Sequence, residues 1–383
     1  MPSRLVKLIL LALFNCALSL KPSLAQLDNT AFEDRVNALN SADSNMLGFR
    51  FSSLAFTKNN EYFNKITDGY TLFGYHLLPS FFYQPTDNFR IDVGAFLWKD
   101  FGASGFHDFQ PTFTMRYQHK NHQILFGNLE GNVSHRLIEP LQDFESVMLR
   151  RLEHGLQWKY ADTSGLWIDA WIDWQKMIYP FSPFKEEVRG GLSLFYNLLN
   201  TDQHTLQLIA QFTAYHKGGQ IDSLRSIPLI TDIHLAPGAK YKYVHSEQGF
   251  WHGLSAEAYP VWYSDRSFDK IRTYKSGFGI YPNITIFTKV ADLMISYWNG
   301  NKYVNDFGGR LYPSLSNNIL NPGFIENPRN LLIFRFMKDF KLFTDFFITS
   351  RFEPFINLNT GNFEFSHGFY FNYRKSFGIA KVR

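Results

Sequence analysis

From Gly48 to Arg374 the chain repeats one pattern about sixteen times: roughly ten residues of alternating apolar and polar side chains, then a turn. The last repeat is the clearest. Phe363, Phe365, Phe369, Phe371 and Tyr373 share one parity, and Glu364, Ser366, Tyr370, Asn372 and Arg374 share the other. Successive side chains of a strand point to opposite faces, so this parity describes a sheet with one oily and one wet face. Repeated this often, it predicts an all-β chain whose oily face has a large apolar surround.

Composition says what that surround is. Aromatic residues make up 18% of the chain, with 40 Phe and 20 Tyr, yet mean hydropathy is only −0.22. A helical membrane protein needs apolar runs of about 20 residues, and none follows residue 25. A barrel needs rings for its lipid face and interfacial girdles, while every second strand residue faces water. The fold class is therefore a transmembrane antiparallel up-and-down β-barrel of about 16 strands, with 14 or 18 as alternative even counts. It is of the kind that spans Gram-negative outer membranes, and localisation there is expected.

Three segments follow. Residues 1–25 read as a signal peptide, with Arg4 and Lys7, an apolar stretch from Leu8 to Leu20, and small residues at Ser23-Leu24-Ala25. A lipoprotein signal at Cys16 is the rival reading, and Asn15 before it fits poorly. Cys16 is the one cysteine, so cleavage after Ala25 would remove any disulfide, thiolate metal site or cysteine nucleophile. It would also remove Arg4, Lys7 and Lys21, taking the net charge from +4 to +1, and nucleic acid is not an expected partner. Residues 26–46 form a short periplasmic segment. Thr30-Ala31-Phe32-Glu33 resembles a capping box, and Phe32, Val36 and Leu39 share a helical face, so a short helix at the barrel mouth is one reading and a floppy leader the other. Residues 47–383 are the barrel.

Connections alternate in length. Short ones are Pro85 to Asn88, Lys120-Asn121, Asp162 to Gly165, Asn200 to Gln203, Ser246 to Gly249, Lys289-Val290 and Asp339-Phe340. Longer ones span 57–69, 100–109, 133–151, 177–187, 216–230, 264–271 and 300–328, and a short outer one joins Asn357 to Asn362. Short turns of bacterial barrels are periplasmic, so both termini should lie there. Pro79, Pro237, Pro260 and Pro282 fall inside expected strands, where bulges or strand ends should accommodate them.

Parity also yields a lumen inventory. Arg90, Asp92, Arg116, Asp169, Asp173, Arg189, Lys240, Arg335, Asp345 and Arg351 are pore-lining and selectivity candidates. Facing charges of both signs would favour small polar solutes, or would merely pair and keep the interior wet. Loop 133–151 carries Arg136, Glu139, Asp143, Glu145 and Arg150. In it Pro140 suits a first helical position, with Leu141, Phe144 and Met148 on one face. Here the chain resembles the general porins, whose third outer loop folds into the barrel. The resemblance implies that loop 133–151 constricts the lumen. A homo-oligomer is an open partner class, beside the bilayer, lipopolysaccharide and small polar solutes.

The expected function is passive diffusion of small hydrophilic solutes. The alternative is a sealed-barrel receptor or component of a surface-polysaccharide or secretion machine, favoured if the N-terminal segment and long loops fill the barrel. A lipid-modifying outer-membrane hydrolase ranks third. Ser134-His135 is a tempting pair, but there is no Gly-x-Ser-x-Gly elbow, no His-x-x-x-His spacing and no phosphate-cradling glycine loop. The chain is thus expected to be no enzyme and to take no cofactor or metal.

Overall fold

The computed structural model describes residues 29–382, apart from 34–38, 40, 220, 222–223, 225, 247 and 270. The expected leader 1–25 and most of the helix expected within 26–46 lie outside the described residues. Sixteen antiparallel strands close into one barrel, each paired with its sequence neighbours and the last with the first. They are β1 (Met46–Glu61), β2 (Thr71–Thr86), β3 (Phe89–Asp100), β4 (Asp108–His119), β5 (His122–Asn128), β6 (His154–Ala161), β7 (Leu166–Lys176) and β8 (Glu186–Asn200). The second half comprises β9 (His204–Gly218), β10 (Ile230–Val244), β11 (Trp251–Asp265), β12 (Ser276–Thr288), β13 (Asp292–Asn301), β14 (Arg329–Phe343), β15 (Phe346–Asn357) and β16 (Phe363–Lys381).

Alternation places the side chains as period two requires. In β16, Phe363, Phe369 and Phe371 are exposed outside while Glu364, Ser366, Tyr370 and Asn372 are buried inside. Phe81, Val93, Phe126, Leu156, Ile284 and Phe352 extend the apolar exterior around the barrel. The short turns other than 358–362 share one end with the start of β1 and the end of β16, and the long connections share the other with 358–362.

One hairpin differs from expectation. β14 continues through Asp339 and Phe340, which pair with Thr349 and Ile348, and the turn is Thr344-Asp345. Extending the ladder satisfies backbone groups that a turn at Asp339-Phe340 would leave open, and Thr349 Oγ1 donates to Asp339 Oδ1 (2.5 Å).

The prolines need no bulge or strand end. Pro79, Pro237 and Pro282 each lie mid-strand, paired on one side with Phe51, Ala210 and Ala258. On the other side each leaves a short gap across which register holds, as between Leu77–Leu97 and Ser80–Gly94. A residue's N–H serves only one neighbouring strand, so its loss opens only one ladder. The β10–β11 gap, between Leu235–Trp262 and Ala239–Ala258, spans both Pro237 and Pro260.

The lumen is occupied from within. Residues 129–153, between β5 and β6, fold inward and meet residues 302–328, between β13 and β14. Asp143 N–H donates to the Phe307 carbonyl (2.7 Å), Gly309 N–H to that of Glu139 (2.8 Å), and Tyr303 Oη to that of Pro140 (2.7 Å). Contact is so close at Gly308 that a Cβ there would lie 2.1 Å from the Pro140 carbonyl oxygen. Trp298 is fully buried beneath the junction, edge-on to Tyr303 and Tyr312. The helix expected from Pro140 is confined to Ser146–Leu149, because the Asp143 N–H bonds across to Phe307 rather than back to residue 139. Leu141, Phe144 and Met148 are nonetheless all buried. The N-terminal Asn29–Glu33 also enters the lumen. Phe32 packs edge-on against Phe144 (5.0 Å) and Tyr370 (5.1 Å), and Arg374 Nη2 donates to the Ala31 carbonyl (2.9 Å).

Candidate functional site

The inward loop 129–153 gathers most of the candidate residues. A 3₁₀ turn, Asn132–His135, ends on Arg136 in the left-handed conformation (φ 55°). That reversal aims His135 at the wall. Its Nδ1 lies 2.7 Å from Asp169 Oδ2 and its Nε2 lies 2.8 Å from Glu153 Oε2, and the ring stacks on Trp171 at 4.2 Å. With a carboxylate on each nitrogen, both must donate, so His135 is an imidazolium. Burial would pull its pKa down, but the two carboxylates outweigh it and raise it to about 9. Such a ring has no lone pair for base or metal-ligand work. The contacts are hydrogen-bond lengths with no room for an ion between, and Ser134-His135 is therefore not a nucleophile–base pair. The pair sits in a turn, and His135 is withdrawn by its ion pairs.

A second buried cluster lies toward the long-loop end. Glu145 Oε1 accepts from Lys58 Nζ (2.6 Å) and Asn60 Nδ2 (2.8 Å), and Tyr70 Oη donates to Oε2. Burial opposes its charge, but Lys58 prevails and holds the Glu145 carboxyl below its ordinary range. Asp143 nearby goes the other way: burial and the Glu145 charge push it up to about 7. A third cluster joins loop to wall. Glu139 accepts from Tyr312 Oη (2.8 Å) and from Arg335 Nη2, while Arg335 and Arg351 share Glu353 (3.2 and 2.5 Å). Arg351 also donates to Asn29 Oδ1 (2.6 Å) and stacks over Phe144 at 3.6 Å.

The other candidates line the wall as pairs. Arg90 and Asp92 form one on β3 (2.6 Å). Arg116 meets Glu130 (2.8 Å), which Lys159 also reaches (2.5 Å). Burial opposes the Glu130 charge, yet those two cations hold its carboxyl at about 2. Lys240 faces Glu257 (3.6 Å), and Asp173 Oδ1 accepts the His154 N–H (2.8 Å). Arg189 Nη1 donates to Gln142 Oε1 (2.5 Å) and Nη2 to the Leu141 carbonyl (3.1 Å). Arg136 pairs with Glu33 (3.3 Å) over the Trp167 ring, and Arg150 lies exposed over Phe307. Asp345 is the exception. It sits in the β14–β15 turn, 3.3 Å from Lys375, and is not a lumen residue, because the hairpin turns there instead of at Asp339-Phe340.

Three larger spaces remain beside the inward loop, one of them, of about 330 Å³, at the short-turn end between Gln118, Lys120, Glu130, Ser134, Arg136 and Lys159. A cavity of about 430 Å³ opens toward the short-turn end between Glu139, Gln142, Lys240, Glu257, Arg335 and Arg351. Another of about 290 Å³ opens toward the long-loop end between Trp98, Asp108, Gln142, Arg150, His154 and Phe307. Sequence reasoning missed His135 as a strut and Gln142 as a wall; a neutral amide in a charged loop carries no signal.

A family model described as lipid A 3'-O-deacylase-type matches residues 39–382. The chain belongs to this family. That description is of an enzyme family, and it overturns the expectation that the chain is no enzyme. The expectation came from motifs of soluble hydrolases, which need not recur on a barrel wall. No curated relative matches the chain. Among solved structures, this deacylase-type barrel is similar to Pseudomonas aeruginosa OprD, at 9% identity and a TM-score of 0.50, covering 89% of this chain and 99% of that one. It is also similar to Pseudomonas aeruginosa OpdL, at 9% identity and 0.50, covering 86% and 99%. These likenesses are of fold: a closed sixteen-strand, porin-like barrel. An apolar exterior around a polar, closed lumen is how such a chain satisfies its backbone in lipid, and the protein is an outer-membrane barrel.

Proposed function

We propose that the barrel passes small polar solutes across the outer membrane through a lumen narrowed by loop 129–153. The observation that carries this reading is the charged cavity left on either side of the inward loop; the filling of the lumen by that loop, residues 302–328 and Asn29–Glu33 favours a sealed barrel instead, and the conductance test separates the two. Paired charges of both signs keep those walls wet and exclude apolar solutes. The second reading is removal of an acyl chain from lipid A by ester hydrolysis, favoured by the family match over residues 39–382. The two are compatible, since a channel uses the lumen and a lipid would be met at the membrane surface.

The test has two arms. Single-channel current is recorded for the refolded protein and for a form lacking residues 137–149, with steps expected in the first and larger ones in the second. Silence of both, with folding confirmed by heat-modifiable migration, would replace the conduit with a sealed barrel. Lipid A from cells making the protein is weighed by mass spectrometry. Loss of one acyl chain supports hydrolysis, and an unchanged mass removes that second reading.

A further inference from the structure

The 430 Å³ and 290 Å³ cavities meet at one residue. Of the residues that line them, Gln142 alone borders both. Its backbone is held by the turn, Gln142 N–H donating to the Ile138 carbonyl (3.0 Å). Its side chain, itself buried, stands between the spaces with Oε1 on Arg189 Nη1 (2.5 Å). Behind it the Arg189 guanidinium is fixed between the Phe307 ring (4.5 Å) and the Trp171 ring (5.3 Å), and by the Leu141 carbonyl. Where the two linings meet, one neutral side chain is hydrogen-bonded to one buried cation. At another edge of the short-turn cavity Glu139 is ion-paired with Arg335, a contact that costs more to part than one amide–guanidinium hydrogen bond.

We propose that Gln142 is the shutter of the permeation path and that Arg189 behind it sets the path's preference for anions. This rests on the conduit reading. When the amide swings away, a solute crossing from the 290 Å³ space to the 430 Å³ space passes the exposed guanidinium. A small anion gains by replacing the amide on Arg189, and a cation is repelled.

Bilayer recordings in a potassium chloride gradient test this, with native protein and the form lacking residues 137–149 as references. Gln142→Ala and Gln142→Ser should each conduct several-fold more than native protein, with the reversal potential shifted toward that of chloride. Adding Arg189→Met to Gln142→Ala should abolish that shift. Gln142→Cys guards against misfolding of the smaller variants: a thiol reagent should block its current, since Cys16 is the chain's one other cysteine. If the deletion conducts while the Gln142 variants, folded by heat-modifiable migration, stay at native level and resist the reagent, the path lies elsewhere and the inference is overturned. A conductance rise without an anion shift overturns the role of Arg189. If the deletion is also silent, the conduit reading falls and takes the shutter with it.

Discussion

Two carboxylates hold His135, one on each ring nitrogen, and this makes the inward loop sensitive to pH. An unpaired imidazolium could not stay buried, and an unpaired Glu153 or Asp169 would be equally costly. The His135 pKa rises from its ordinary 6.5 to about 9, so the stabilisation is complete below about pH 6.5 and is lost as pH climbs through 9. Asp143 acts in the same direction. Its carboxyl moves from 3.8 to about 7, so its share is complete below about 3.8 and lost as pH rises through 7. Rising pH therefore loosens the loop in two stages, through Asp143 up to about 7 and through His135 up to about 9. Trp171, stacked on the imidazolium, reports it: the emission difference between native protein and Trp171→Phe should rise from pH 7 to 10 with a midpoint near 9. A flat difference would mean that His135 is not charged.

Loop 129–153 is also where an element's local preference met tertiary structure. Its apolar spacing did mark the buried face of Leu141, Phe144 and Met148, because burial follows side-chain chemistry wherever the backbone goes. The helix did not follow, because the Phe307 carbonyl of another loop captured the Asp143 N–H. The N-terminal segment is pinned in the same nonlocal way, by Phe32 between Phe144 and Tyr370. Phe32→Ala should cost about 3–5 kcal/mol of that docking. A cysteine at Thr30, which faces the short-turn cavity, should then react with a maleimide much faster than in the Phe32 background. Equal rates would show that the segment is held by its polar contacts to Arg136, Arg351 and Arg374 rather than by Phe32.

At the scale of the whole molecule, the membrane is the solvent that makes the alternation fold. Ile284 is half-exposed on the outside of β12, where only lipid can cover it. Ile284→Lys should destabilise the barrel by about 2–4 kcal/mol, read from the urea midpoint of folding in vesicles. Leu320→Lys, at an exposed loop tip, should leave that midpoint within about 0.5 kcal/mol; similar losses at both sites would contradict the lipid face. Strand number, inside and outside, and the end at which β1 begins and β16 stops were all legible in the chain, since period-two alternation and turn length are local properties that any pairing must respect. Which residues meet in the lumen was not. His135 finds Asp169 34 positions away and Glu145 finds Lys58 87 away, and the slip of one hairpin took Asp345 out of the lumen. Those meetings depend on how a closed barrel brings distant strands and two inward loops into one space, where each buried charge must find its partner wherever in the chain it lies.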